Sequence, residues 1–176
     1  MNYITFNPAQ TKKLAQKIAQ EILKRPLNKK AIVIALIGDL GGGKTTFLQG
    51  FAKGLRIKNK ILSPTFVILK RFKITQIKEQ RAKIKNITAK AAANQNSKRL
   101  NPQKFYHIDC YRIKKVEEIL ALGFKKIISN PENIVAVEWG DRIKKILPKK
   151  SLIIRFKFIN QNTRKIFISG FSNFLK

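Results

Sequence analysis

Gly38-Asp39-Leu40-Gly41-Gly42-Gly43-Lys44-Thr45 is a complete G-x-x-x-x-G-K-[ST] phosphate-binding loop. It follows the apolar run Ala31-Ile32-Val33-Ile34-Ala35-Leu36-Ile37 and leads into Thr46-Phe47-Leu48-Gln49-Gly50-Phe51, whose apolar spacing is helical. That context carries more weight than the eight letters, because the chemistry needs a strand, a tight loop and a helix N-terminus in that order. Glycines let consecutive backbone N–H groups turn inward around a polyphosphate. The helix N-terminus adds partial positive charge at the same spot. Lys44 is expected to reach the β- and γ-phosphates, and the Thr45 hydroxyl to coordinate Mg²⁺.

Outward from the loop, strand and helix patterns alternate. Asn2 to Phe6 reads as a short strand. Asn7 is a helix N-cap, with Pro8 at the first helical position and Gln10 at the capping-box position. Leu14, Ile18, Ile22 and Leu23 continue that helix to about Lys24, and Pro26 ends it. The run from Lys30 to Ile37 is apolar throughout, the kind of strand buried on both faces of a parallel sheet. The helix after the loop is expected to reach roughly Leu55. Further strands are expected at Val67 to Ile74, Lys104 to Asp109 and Asn133 to Val137. Helices are expected at Val116 to Leu122, which Gly123 could close, and at Gly140 to Leu147, before Pro148. Two β-rich runs, Leu152 to Ile159 and Lys165 to Phe171, flank an Asn160-Gln161-Asn162 hairpin turn. The pattern predicts an α/β fold: one P-loop NTPase domain over 1–176, with a mostly parallel central sheet, antiparallel edge strands and flanking helices.

Composition sets bounds. No apolar stretch approaches the roughly 18 residues that cross a bilayer, and no signal-peptide pattern opens the chain. The lone Cys110 excludes an internal disulfide and suits a reducing cytoplasm. The balance of 38 Lys and Arg against 9 Asp and Glu gives a formal charge of +29. Such a field attracts phosphate backbones whatever their sequence, so contact with tRNA through a basic surface is compatible with it. The basic residues are scattered among abundant Lys, Ile and Asn, as an AT-rich genome would produce, so charge alone names no partner. Residues 75–104 form a basic insertion with eight Lys and Arg against Glu79 alone. It reads either as an RNA-contacting arm or as a solvated hairpin extension.

In a chain this poor in carboxylates, the positions of the acids are informative. Asp39 lies inside the loop, while Asp109, Glu138 and Asp141 sit at or just past the ends of strand-like runs. Glu138 follows Ile134-Val135-Ala136-Val137, the Walker-B arrangement with Glu in place of Asp, and Asp109 is the second acid that could hold a metal or position water. Ser63-Pro64-Thr65 is placed where a γ-phosphate-sensing segment would lie, or is an ordinary turn. His107 on its strand reads as structural more readily than catalytic, and Trp139 either packs beside a nucleotide or fills the core.

Together the loop with Thr46-Phe47, Ser63-Pro64-Thr65-Phe66, His107-Ile108-Asp109-Cys110-Tyr111-Arg112 and Glu138-Trp139 resemble the TsaE (YjeE) family, and Glu118-Leu120-Leu122-Gly123 is similar to its E…LG helix. The resemblance runs from about Thr11 to Arg164. It implies a small cytoplasmic ATPase needed for N6-threonylcarbamoyladenosine at position 37 of ANN-decoding tRNAs. It further implies a TsaB–TsaD heterodimer as partner, ATP and Mg²⁺ as ligands, and no membrane or DNA. By the same resemblance Gly38 and the loop from Asp39 to Thr46 (Leu40, Gly41, Gly42, Gly43, Lys44 and Thr45 between) hold the phosphates, and Thr45 and Glu138 hold Mg²⁺. Asp109 supports water attack or metal positioning, Thr11 approaches the adenine end, and Trp139 neighbours the nucleotide. Lys44, Asp109 and Glu138 then carry the catalysis, with Arg112 the one arginine that offers itself as a finger. Two other functions compete: a small-molecule kinase, which needs an acceptor pocket and an arginine-rich lid, and a basic nucleic-acid-binding NTPase.

Overall fold

The computed structural model describes residues 1–25, 27–59, 61–62, 68–75 and 102–170. The Ser63-Pro64-Thr65-Phe66 motif and most of the basic insertion lie outside the described residues. Strands β1 (Asn2–Thr5), β2 (Ile32–Ile37), β3 (Leu69–Lys73), β4 (Lys104–Asp109), β5 (Asn133–Glu138), β6 (Leu152–Phe158) and β7 (Arg164–Ser169) form one sheet. Their order is β1-β7-β6-β2-β5-β4-β3. The four inner strands β6, β2, β5 and β4 are mutually parallel. Both flanks are antiparallel, β3 on β4 at one edge and β7 with β1 beside β6 at the other. The sheet is therefore mixed: its parallel part is confined to the inner strands, and of the antiparallel pairs only β6 with β7 is joined by a short hairpin.

Helix α1 (Pro8–Leu23) begins where Asn7 accepts a hydrogen bond from the Gln10 backbone N–H through Oδ1, at 2.9 Å. Gln10 reaches back one residue past the cap and accepts from the Phe6 N–H at 2.8 Å, a displaced capping box. Helix α2 (Lys44–Gly54) starts at Gly43, which is left-handed at φ 99° and so suits a residue without a Cβ. The two helices pack unusually close. A Cβ on Gly50 would lie 2.2 Å from the Lys12 carbonyl oxygen, and one on Gly54 would lie 2.6 Å from Ala19 Cβ.

Alternation on the strands divides the core. Ile32, Ile34 and Leu36 of β2, with Leu152, Ile154 and Phe156 of β6, pack beneath α1 and α2. Val33, Val135 and Val137 point the other way, onto Ile119 of α3 (Val116–Ala121), Phe124 of α4 (Phe124–Ser129) and Ile143. Gly123, left-handed at φ 78°, ends the expected helix and opens α4, which the sequence pattern does not reveal. The helix expected over 140–147 is instead a 3₁₀ segment, Gly140–Ile146, kinked at Ile143 (φ −117°). Gly140 lies so close to β2 that a Cβ there would meet Ala35 Cβ at 2.7 Å, which fixes where the chain turns after β5.

Candidate functional site

Parallel register assembles the site. Leu36 pairs with Glu138 and Asp109 pairs with Glu138, so the C-terminal ends of β2, β5 and β4 lie side by side. Ligands of open α/β sheets sit at such carboxyl ends. There Gly38 (φ 143°) and Gly41 (φ 71°) turn the chain through conformations that L side chains rarely adopt. The loop closes with the Gly42 N–H donating to the Asp39 carbonyl at 3.0 Å. A Cβ on Gly42 would sit 2.9 Å from that same oxygen, so glycine is required there by space.

Lys44 is almost fully buried. Its ammonium donates to the carbonyls of Gly38 at 2.6 Å and Asp39 at 2.7 Å. The same ammonium lies 3.9 Å from the centroid of the Trp139 ring, a cation–π contact. Burial lowers its pKa below the usual lysine value, and the carboxylates of Glu138, Asp109, Asp39 and Asp141 oppose that shift.

Glu138 is buried at 2% exposure, and both its oxygens are engaged. Oε1 accepts from His107 Nε2 at 2.8 Å. Oε2 accepts from the Thr45 hydroxyl at 3.1 Å, with Oε1 at 3.4 Å from the same hydroxyl. His107 is wholly buried, and its Nδ1 has no partner among the described residues. His107, which the sequence reads as structural more readily than catalytic, is bonded directly to the site carboxylate. Asp109 turns its Oδ1 to the Tyr111 backbone N–H at 2.9 Å, which holds the segment after β4 against the site. Trp139, left-handed at φ 58°, faces Tyr111 with ring centroids 5.2 Å apart.

A cleft of about 280 Å³ runs over the loop and is lined by Thr11, residues 40–46, Asp109, Glu138 and Trp139. Every expected site residue therefore borders one cavity except Gly38 and Asp39, whose backbone forms the start of the loop. Thr11 is 2% exposed and its hydroxyl lies 2.8 Å from that of Thr5, so it joins β1 to α1 beside the cleft. Arg112 also lines the cavity.

One part of the lining is not legible in the sequence. Gln161, Asn162 and Arg164 of the β6–β7 hairpin line the same cleft. Asn160 Oδ1 accepts from the N–H groups of Asn162 (3.1 Å) and Thr163 (2.9 Å), which shapes the turn. Arg164 Nη2 then donates to the Gly41 carbonyl at 3.1 Å, tying the hairpin to the glycine loop. Its Nη1 donates to the Asn160 carbonyl at 2.7 Å. The Asn-Gln-Asn turn is legible in the sequence. That it folds back onto a loop so much earlier in the chain is not.

The donor set suits a hard divalent cation. Thr45 and Glu138 present hydroxyl and carboxylate oxygens 3.1 Å apart beside the loop. Among the described residues no three His, Cys, Asp or Glu gather into a self-sufficient metal cage. Two protein oxygens with the rest supplied by phosphate and water is how magnesium is usually held.

The model of the family described as "Threonylcarbamoyl adenosine biosynthesis protein TsaE" matches residues 5–166. The chain is 30% identical over 173 residues to the tRNA threonylcarbamoyladenosine biosynthesis protein TsaE of Bacillus subtilis, covering 98% of this chain and 87% of that one. It is 32% identical over 158 residues to the Aquifex aeolicus protein of the same name, covering 89% and 86%. It is 31% identical over 162 residues to the Rickettsia felis one, covering 92% and 75%. Among solved structures it is similar to Bacillus subtilis YdiB, with a TM-score of 0.59 and 26% identity over 96% of this chain and 83% of that one.

Proposed function

The chain belongs to the TsaE family of threonylcarbamoyladenosine biosynthesis, and from that premise we propose that it is the Mg²⁺-dependent ATPase subunit of this tRNA-modifying machinery, working in the cytoplasm with a TsaB–TsaD heterodimer. The observation that carries the proposal is the meeting of Thr45 and Glu138, 93 residues apart in sequence, at 3.1 Å beside the glycine loop. A hydroxyl at the start of the loop's helix and a carboxylate at a strand end are the pair that a nucleotide-bound magnesium requires. Bound magnesium would neutralise charge on the β- and γ-phosphates.

The chain's own residues would do the remaining work. Backbone N–H groups of residues 41–46, at the N-terminus of α2, would surround the phosphates. Lys44 would exchange its two carbonyl partners for phosphate oxygens while remaining against the Trp139 ring. Asp109 would orient the attacking water from the neighbouring strand. Thr11 and the Gln161-Asn162 turn would form the two walls against which the nucleoside end rests. Catalysis of this kind is positioning and charge neutralisation, with little covalent chemistry asked of the protein.

The transfer of the threonylcarbamoyl group would belong to the partner. Isolated turnover should then be slow, and the heterodimer should raise it. Measuring phosphate release from MgATP with and without TsaB–TsaD tests this directly. Fast hydrolysis that the partner leaves unchanged would remove the subunit reading. Glu138→Gln should cost on the order of 10²-fold in the stimulated rate, as loss of one key charge-stabilising group does, while cells carrying it should lose threonylcarbamoyladenosine from their tRNA.

A further inference from the structure

Among the described residues, half of the sheet is uncovered on one face. On β6 and β7, Leu152, Ile154, Phe156, Ile166 and Ile168 turn toward α1 and α2. The intervening residues Ile153, Arg155, Lys157, Lys165, Phe167 and Ser169 turn to the opposite side. That side is covered by α3, α4 and the 3₁₀ segment only over β2, β5 and β4, since the core there contains Val33, Val135, Val137 and Ile108 but no residue of β6 or β7. The described helices leave the outer face of β6, β7 and β1 uncovered.

Its chemistry is unusual for a solvated sheet. Register places Arg155 opposite Phe167, which in turn is opposite Asn2 on β1. In the next row Lys157 is opposite Lys165, which is opposite Ile4. Arg155 and Lys157 are exposed, Lys165 and Phe167 half-buried, and Ile4 56% exposed. Two lysines directly across from each other repel and cost stability. Among the described residues no carboxylate pairs with them: no Asp or Glu occurs after Asp141, and none lies on β1. The Lys165 ammonium falls back on the Phe167 ring, 5.2 Å from its centroid.

We propose that the outer face of β6, β7 and β1 docks RNA through Arg155, Lys157 and Lys165 on its phosphates, with an unpaired base stacked on Phe167. A polyanion relieves the uncompensated Lys157–Lys165 repulsion, which neither a neutral nor a basic partner does. Rows about 4.8 Å apart across strands and about 6.7 Å apart along them present the cations as a grid. A sheet face that combines cations with an aromatic ring is a platform on which unstacked bases lie. The face is separate from the nucleotide cleft, and the proposal stands whether or not the cleft hydrolyses ATP.

The test is binding of the full chain to a labelled RNA hairpin with an unpaired loop, and to a fully paired RNA duplex, across a salt series. Arg155→Gln/Lys157→Gln/Lys165→Gln should weaken hairpin binding at least tenfold and lower the log–log salt slope by about 2, at roughly 0.7 for each phosphate that is no longer neutralised. The control Lys12→Gln/Lys13→Gln/Lys17→Gln removes the same charge from α1 and should leave both nearly unchanged. Phe167→Leu should cost about tenfold on the hairpin but not on the duplex, with the salt slope intact. Equal weakening in the two triple variants would mean a diffuse field and overturn the proposal. So would equal weakening on hairpin and duplex for Phe167→Leu. If the β-face variant instead loses binding to phosphatidylglycerol vesicles while RNA binding is unaltered, the face is a membrane surface and the proposal fails. Thermal unfolding that is not lowered, with unchanged ATP hydrolysis, in each variant separates these outcomes from misfolding.

Discussion

Glu138 is the residue on which the site turns, and its burial explains why it needs His107. A carboxylate this enclosed is costly unless its oxygens are bonded. His107 takes Oε1 and leaves Oε2 directed at the Thr45 hydroxyl. The carboxylate is thus held in one orientation, as an outer partner would hold the metal ligand proposed for this position. His107→Leu should therefore weaken Mn²⁺ binding, measured by electron paramagnetic resonance in the presence of ADP, by about 10- to 100-fold. His107→Gln keeps a donor at nearly the same reach and should recover much of it; equal weakening in both would leave His107 as core filler. Cys110, next to Asp109, makes a second residue-level prediction. Burial, with the Asp109 charge second, pushes its thiol up to about 12. Ellman's reagent should leave it untouched at pH 8 in the folded protein and titrate it fully in denaturant. Because the folded pKa is raised, this thiol's contribution to stability is complete below its unfolded value, near pH 9. It should fall as pH rises from there toward 12, as the unfolded chain ionises first.

At the scale of elements, the strand–loop–helix unit is legible because each part has a local cause. An apolar run buries as β2, glycines permit φ values of 143° and 71°, and a helix follows at Lys44. The N-cap at Asn7 is legible for the same reason: the side chain bonds a neighbour three residues on. Helix α4 and the 3₁₀ character of Gly140–Ile146 are not legible. Such short segments give too little periodicity to read, and their form depends on what Phe124 and Ile143 pack against. The contact of α1 with α2 is invisible too, although its signature, Gly50 and Gly54 on α2 with Ala15 and Ala19 on α1, stands in the sequence. Gly50→Ala would strengthen the helix locally, yet its methyl would meet the Lys12 backbone at 2.2 Å. The overpacking cost should win, destabilising the protein by about 1–3 kcal/mol. A urea midpoint equal to or above that of the parent would show that α1 shifts freely and that the close approach is not required.

For the whole molecule, the site is a product of strand order. β2 lies between β6 and β5, and β4 lies beyond β5. Only that order places Asp109 and Glu138 in register beside the loop and swings the β6–β7 hairpin over it, so that Arg164 reaches Gly41. Binding at such a cleft draws together loop, α1 and hairpin, and should stabilise the entire fold. At a ligand concentration about a hundred times Kd the gain is about 2.7 kcal/mol. MgATP should accordingly raise the unfolding temperature by several degrees, and more than ATP with a chelator does. Thr45→Val should erase the magnesium-dependent part of that rise while keeping some of the remainder. An identical rise with and without metal in the parent protein would mean that Thr45 and Glu138 do not serve a cation.

By itself the sequence determined what is set within a few residues. The glycine loop, the cap at Asn7, the Asn160 turn and the placing of Asp109 and Glu138 after apolar runs all belong to this class, because backbone angles and short-range hydrogen bonds depend on immediate neighbours. Tertiary structure alone decided which strands adjoin, that His107 serves Glu138, that Arg164 ties the hairpin to the loop, and which half of the sheet the described helices cover. Those are contacts between segments far apart in the chain. They are selected by the packing of whole faces, and no local pattern encodes which face will find which.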